Sequence, residues 1–134
     1  MAILSQLILY PIKSCAGMAV TEAAAGISGL SAQGVHDREW MLVTPGGQFL
    51  TQREYPRMAT VVPCVDGASL MVTAPGMPAL QLPLAAQAGA ATLRVQIWDD
   101  FVDAADCGDA AASWFEQVLG SACRLVRFLP GLDR

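Results

Sequence analysis

The sequence predicts a mainly β fold: a small antiparallel β-barrel with one α-helix near the C-terminus, at about residues 109–119. Three observations predict it. Short runs rich in β-branched, aromatic and alternating apolar residues recur along the chain, separated by Pro- and Gly-containing turns. The apolar period shifts from two to about 3.6 once, near the end of the chain. Finally, 134 residues, 54% apolar and 15% charged, suit one domain with its own core rather than a disordered chain.

Residues 2–10 form the first predicted strand, which Pro11 ends. Residues 38–44 (REWMLVT) and 48–53 (QFLTQR) follow as a strand pair, and Pro45-Gly46-Gly47 between them marks a hairpin. A strand over 58–63 (MATVVP) comes after Pro56. Residues 69–73 (SLMVT) and 79–82 (ALQL) flank a turn at 74–78. The alanine- and glycine-rich 85–91 reads as a loop. In 92–98 (TLRVQIW), Leu93, Val95 and Ile97 alternate onto one face. In 109–119 (DAAASWFEQVL), Ala111, Phe115, Val118 and Leu119 fall at helical spacing. Asp106 or Asp109 suits the helix N-terminus, and Gly120 its stop. Residues 123–129 (CRLVRFL) supply the last strand, so residues 1–134 read as a single domain without linker or repeat.

Charge narrows the function classes. The net charge is −4, which argues against a nucleic-acid partner, since phosphate backbones need a basic stripe. Residues 1–57 balance four basic against four acidic groups, whereas 58–134 hold four basic and eight acidic. Five of those acids, Asp99, Asp100, Asp103, Asp106 and Asp109, fall in 99–109. They lack the spacing of a calcium loop and read as turn and helix-start residues. The N-terminus lacks a basic segment and a small-residue cleavage site, and no apolar run approaches the roughly 20 residues of a membrane span. A soluble, cytoplasmic protein with no membrane partner is the expectation. Cys15, Cys64, Cys107 and Cys123 form no C-x-x-C pair, and His36 is the single histidine. No metal site is therefore expected, and the thiols read as free and mostly buried.

The candidate site begins in YPIKSCAGM, residues 10–18, which holds the only lysine, Lys13. Arg38 and Arg53 flank the predicted hairpin. Pairing Val43 with Gln48 sets Arg38 opposite Arg53, and a Gly46-Gly47 loop sets Arg53 opposite Trp40 with Arg38 diagonal to it. Either register gathers two guanidinium groups at one end, with Arg57 close behind. Such like charges need neutralising. Asp37, Glu39 and Glu54 offer a local solution, and a small anionic ligand offers another, because arginine's fork suits phosphate and carboxylate. Lys13 and the Ser14 hydroxyl add donors. No catalytic set is visible. Ser14 has no evident base, His36 cannot be assigned to it, and Cys15, despite Lys13 nearby, reads as a buried thiol.

The run LILYPIKSCAGMAVTEA, followed by GLSAQGVHDREWMLVTPGGQFLTQREYPRMATV, resembles the N-terminal β-barrel domain of MOSC proteins. This is the family of the mitochondrial amidoxime-reducing component and of the C-terminal part of molybdenum cofactor sulfurase. The pattern is YP-x-K-S, a Gly-Leu ahead of D-R-x-W, a glycine hairpin and T-x-R-x-x-P-R. DCGDAAASWFEQVLG and CRLVRF resemble the family's helix and closing strand. The resemblance implies a barrel packed against a MOSC domain, in the same or a separate chain, with the molybdenum cofactor (molybdopterin) between them. It implies that Lys13, Ser14 and Arg38 contact the cofactor's phosphate and pterin, with Arg53 in support. It implies no catalytic or metal-ligating residue here. The MOSC domain is expected to begin soon after residue 130, so these residues are not expected to reduce a substrate alone. The alternative is a non-catalytic interaction module that docks a separate MOSC protein or recognises a substrate or redox partner. A third reading is a small hydrolase using Ser14 or Cys15.

Overall fold

The structure is a computed structural model that describes residues 7–20, 24–26, 29–32, 35–36, 38–85, 91–97 and 99–128. Twelve strands and one α-helix lie within them. β1 (Leu7–Leu9) and β2 (Met18–Val20) pair antiparallel, Leu9 opposite Met18, so the loop between them is the YPIKSCAG stretch. β3 (Ala24–Gly26), β4 (Gly29–Ala32) and β5 (Val35–His36) form a short antiparallel meander. β6 (Trp40–Val43) leads to the Pro-Gly-Gly turn, and a short 3-10 helix covers Pro56–Thr60. β7 (Val62–Asp66), β8 (Ser69–Thr73) and β9 (Leu80–Pro83) form a second meander. β10 (Thr92–Ile97) and β11 (Asp100–Asp106) make a hairpin. Helix α1 (Asp109–Leu119) and β12 (Arg124–Arg127) follow. The principal sheet has the order β10-β11-β12-β6.

The predicted mainly β, antiparallel fold with one helix is what the chain forms, and α1 spans the predicted 109–119. Gly120 follows it in the left-handed region, φ 74°, with its N–H on the Glu116 carbonyl. The closed barrel is not seen. Among the described residues the strands group into four sheets that do not join into one cylinder. The physical reason lies in 44–61, where irregular backbone and a 3-10 turn replace two predicted strands. The expected strand 48–53 is reduced to single bridges, Val43 with Phe49 and Gln48 with Gln96, and 52–54 is turn. The expected strand 58–63 begins as the 3-10 helix, because Pro56 presets its first turn. Residues 2–6 of the first predicted strand, 86–90 of the predicted loop, Trp98 and Leu129 of the last predicted strand lie outside the described residues.

β11 is a strand that the sequence does not predict, since 99–109 reads as turn and helix start. Six of its seven residues pair with β10, Val102 opposite Val95 and Ala104 opposite Leu93. Aspartate and alanine have low β propensity, but burial of Val102 and Ala104 on alternate positions overrides it. The acids then separate. Asp103 pairs with Arg94, while Asp106 and Asp109 share Arg124. Among the described residues no group of three or more His, Cys, Asp or Glu is placed to hold a metal.

The principal sheet is apolar on both faces. All four residues of β6 are buried. Trp40 and Leu42 join Leu125 and the helix in the larger core, whereas Met41 and Val43 join Val126, Val95 and Val102 in a second cluster. Helix α1 buries Ala111, Trp114, Phe115 and Val118 against the first. The Trp114 indole N–H also donates to the Pro78 carbonyl at 2.7 Å, which fastens the β8–β9 loop to the helix. No helix among the described residues is long and apolar enough to cross a membrane.

Candidate functional site

Lys13, Ser14 and Arg38 come together because the β1–β2 loop runs parallel to the start of β6. Ile12 bridges Trp40 in parallel. The Arg38 N–H donates to the Tyr10 carbonyl, the Trp40 N–H to the Pro11 carbonyl at 2.9 Å, and the Lys13 N–H to the Trp40 carbonyl at 2.9 Å. The predicted grouping of Lys13 and Ser14 with Arg38 therefore has a backbone basis, which differs from the hairpin register argued from sequence. Leu9, Ile12 and Cys15 pack into the core at 0–2% exposure, whereas the intervening Lys13 and Ser14 remain half-buried at the rim.

Ser14 and Arg38 share a second property. Their φ angles are 70° and 53°, the two positive values among non-glycine residues described. Side chains disfavour this region, and such residues concentrate where function demands a particular backbone direction. Tyr10 and Phe49 supply aromatic faces. The Lys13 ammonium lies 5.2 Å from the Phe49 ring centre, and the Arg38 guanidinium 5.7 Å from that of Tyr10. These contacts orient the two cations.

Arg53 is not a cross-strand partner of Arg38, because pairing follows Leu42 with Leu50 and then gives way to the 52–54 turn. Its exposed turn still reaches the same place. The neighbouring Gln52 donates its Nε2–H to the Ser14 carbonyl at 2.9 Å. Arg57 lies elsewhere, with its Nη1 on the Val118 carbonyl at the end of α1. Of the acids expected to neutralise the arginines, Glu54 accepts from the Thr51 hydroxyl and Glu39 turns inward to Arg127. Asp37 lies outside the described residues.

Cys15 is buried, and burial pushes its thiol up to about 12, which removes the thiolate a nucleophile needs. Sequence reasoning missed a second feature. A pocket of about 330 Å³ opens beside Trp40, between Leu82, Ala105, Cys107 and Arg127. Burial raises Cys107 to about 12, opposed by the Arg127 charge and by a hydrogen bond from the Trp40 side chain. No sequence signal joins these residues, which come from separated strands and loops.

Comparison with known proteins settles the family. A model of the MOSC N-terminal beta barrel domain matches residues 1–122. The chain belongs to that family. This MOSC N-terminal domain is 36% identical over 125 residues to mitochondrial amidoxime reducing component 2 of Rattus norvegicus, covering 92% of this chain and 37% of that protein. It is 33% identical over 132 residues to molybdenum cofactor sulfurase of Danio rerio, covering 95% of this chain and 15% of that protein. The chain thus spans well under half the length of these relatives. A protein of Bordetella bronchiseptica whose solution structure is known has a similar fold. Its TM-score is 0.65 at 26% identity, covering 86% of this domain and 94% of that chain.

Proposed function

We propose that this MOSC N-terminal domain holds the phosphate and pterin side of a molybdenum cofactor within a molybdenum-dependent oxidoreductase or sulfur-carrier system. The observation that carries the reading is the left-handed backbone at Ser14 and Arg38, joined to Lys13 by hydrogen bonds through residues 10–13 and 38–40. The donor set fits the group. An ammonium, a hydroxyl and a guanidinium at one rim suit a phosphate ester. Lys13 would supply a point charge, Ser14 a hydroxyl donor, and Arg38 a fork for two oxygens. Arg53, beside Gln52, would add long-range attraction from its exposed turn. The cofactor, when bound, supplies the redox or sulfur-transfer chemistry, and the domain binds and orients it.

A partner surface belongs to the same reading. Ile8 stands 44% exposed on β1, and Tyr10, 39% exposed just after it, lies beside Arg38. We propose that a MOSC domain, in the same or a separate chain, covers this edge and completes the cleft. The test is an NMR titration of the chain with a phosphate monoester and then with molybdopterin. The expected result is selective movement of the Lys13, Ser14 and Arg38 amides. If saturating ligand leaves all three in place, the cofactor reading fails.

A further inference from the structure

Glu39 and Arg127 are the buried charged side chains among the described residues, 6% and 9% exposed. They lie 88 positions apart, and the Arg127 Nε–H donates to Glu39 Oε2 at 2.5 Å. A buried ion pair is weak evidence for stability, since apolar residues of similar volume often serve as well. Its geometry points instead to what it positions. The Arg127 guanidinium lies 4.6 Å from the Trp40 ring centre, and Nη2 donates to the Leu84 carbonyl at 2.6 Å. Nη1 reaches the Pro83 carbonyl at 3.3 Å. All three guanidinium nitrogens are therefore engaged, and the fork is rigid.

Glu39 is held twice by the end of β12. Arg127 takes its side chain, and the Phe128 N–H donates to its carbonyl at 2.9 Å. Arg38 immediately precedes it with φ 53°, and Trp40 follows with its backbone bonds to Pro11 and Lys13. Residues 38–40 are thus clamped from one side by 10–13 and from the other by 127–128. A left-handed non-glycine residue persists where its surroundings over-determine it.

We infer that the buried Glu39–Arg127 pair is a positioning device for the anion cradle, fixing the left-handed backbone at Arg38 and so the direction its guanidinium faces. The inference rests on the reading of Lys13, Ser14 and Arg38 as an anion cradle, and neither member of the pair touches the ligand. Without the pair the backbone bonds to 10–13 and from Phe128 remain, but the residue next to Arg38 loses its side-chain anchor, and residue 38 gains freedom on that flank.

The test uses the whole chain in two variants. Glu39→Gln with Arg127→Met removes both charges together, so no unpaired buried charge remains, and Arg127→Lys keeps the charge but not the fork. Exposed Arg94→Gln with Asp103→Asn is the control. Folding is checked by near-ultraviolet circular dichroism. The first readout, without ligand, is the Arg38 amide–Hα coupling and ¹⁵N relaxation. The second is affinity for inorganic phosphate. In whichever variant is folded, Arg38 is expected to lose its fixed coupling and become mobile while α1 and β10 amides stay unchanged. Phosphate affinity should fall about tenfold, the scale of one charge-assisted hydrogen bond. The control should change neither. An unchanged Arg38 coupling overturns the inference, and so does unchanged affinity in a chain that binds phosphate. If the unsubstituted chain binds no phosphate, the cradle reading has failed, and the Arg38 coupling still decides whether the pair fixes that residue.

Discussion

Ser14 and Arg38 hold a conformation that costs an L-residue roughly 1–2 kcal/mol in the left-handed region. Ser14 keeps it in a loop where glycine would fit with less strain, and its carbonyl is fixed by Gln52. Replacing Ser14 by glycine removes the Cβ strain but adds chain entropy worth roughly 0.5–1 kcal/mol in the unfolded state. Ser14→Gly should therefore leave stability unchanged or raise it by up to about 1 kcal/mol. The same variant should bind a phosphate monoester more weakly, because the hydroxyl is gone. Urea melts and a ligand titration on one sample check both halves. Loss of stability with retained affinity would mean that Ser14 is a structural turn residue. Lys13, Ser14 and Arg38 were legible in the sequence as donor types in spaced motifs. Their strained backbone was not, because φ at a non-glycine position depends on contacts from segments distant in the chain. The Glu39–Arg127 pair was equally hidden, since Glu39 reads locally as a partner for Arg38 or Arg53.

Among the elements, the Pro-Gly-Gly turn shows how a correct signal can carry a wrong register. The hairpin turn is present, with the Gly47 N–H on the Thr44 carbonyl at 2.8 Å, but Val43 meets Phe49 rather than Gln48. The added residue bends the chain so that Gln48 bridges β10, and the Gln96 N–H donates to the Gly47 carbonyl at 2.8 Å. Gly47 has φ 94°, and a Cβ there would stand 2.3 Å from the Arg94 carbonyl oxygen. Gly47→Ala should cost about 2–4 kcal/mol from the clash and the backbone together. Gly46→Ala should be within about 0.5 kcal/mol of neutral, since its Cβ meets only the Thr44 hydroxyl at 3.7 Å. Equal losses in chemical denaturation would contradict this packing of the turn on β10. Helix α1 was readable because period, first-turn acid and terminal glycine agree. β11 was not, because its aspartates carry a turn signal and its partner strand is known only from the fold.

At the scale of the whole molecule, two apolar clusters flank one principal sheet, and three thiols are sealed within or against the larger one. Burial raises Cys15 and Cys107 from the ordinary 9.0 to about 12 and Cys123 to about 11. The folded state therefore keeps protons that the unfolded chain releases. This stability is fully present below pH 9.0 and is lost as pH rises toward 12. Urea midpoints should fall steadily above pH 9.0, less steeply in Cys15→Ala, and the exposed Cys64 should label first with a thiol reagent. A flat profile would show that the thiols are not buried as described. The proposed cofactor site at this scale is the rim that the β1–β2 loop and the start of β6 build together. Its most direct test is a calorimetric comparison of molybdopterin binding by the unsubstituted chain, Lys13→Ala and Arg38→Lys, each with its melting temperature measured. Saturable one-site binding, weakened about tenfold in each variant at unchanged stability, is the expected result. Equal affinity in all three chains, or no saturable binding by the unsubstituted one, would contradict the assignment of Lys13 and Arg38 to the cofactor.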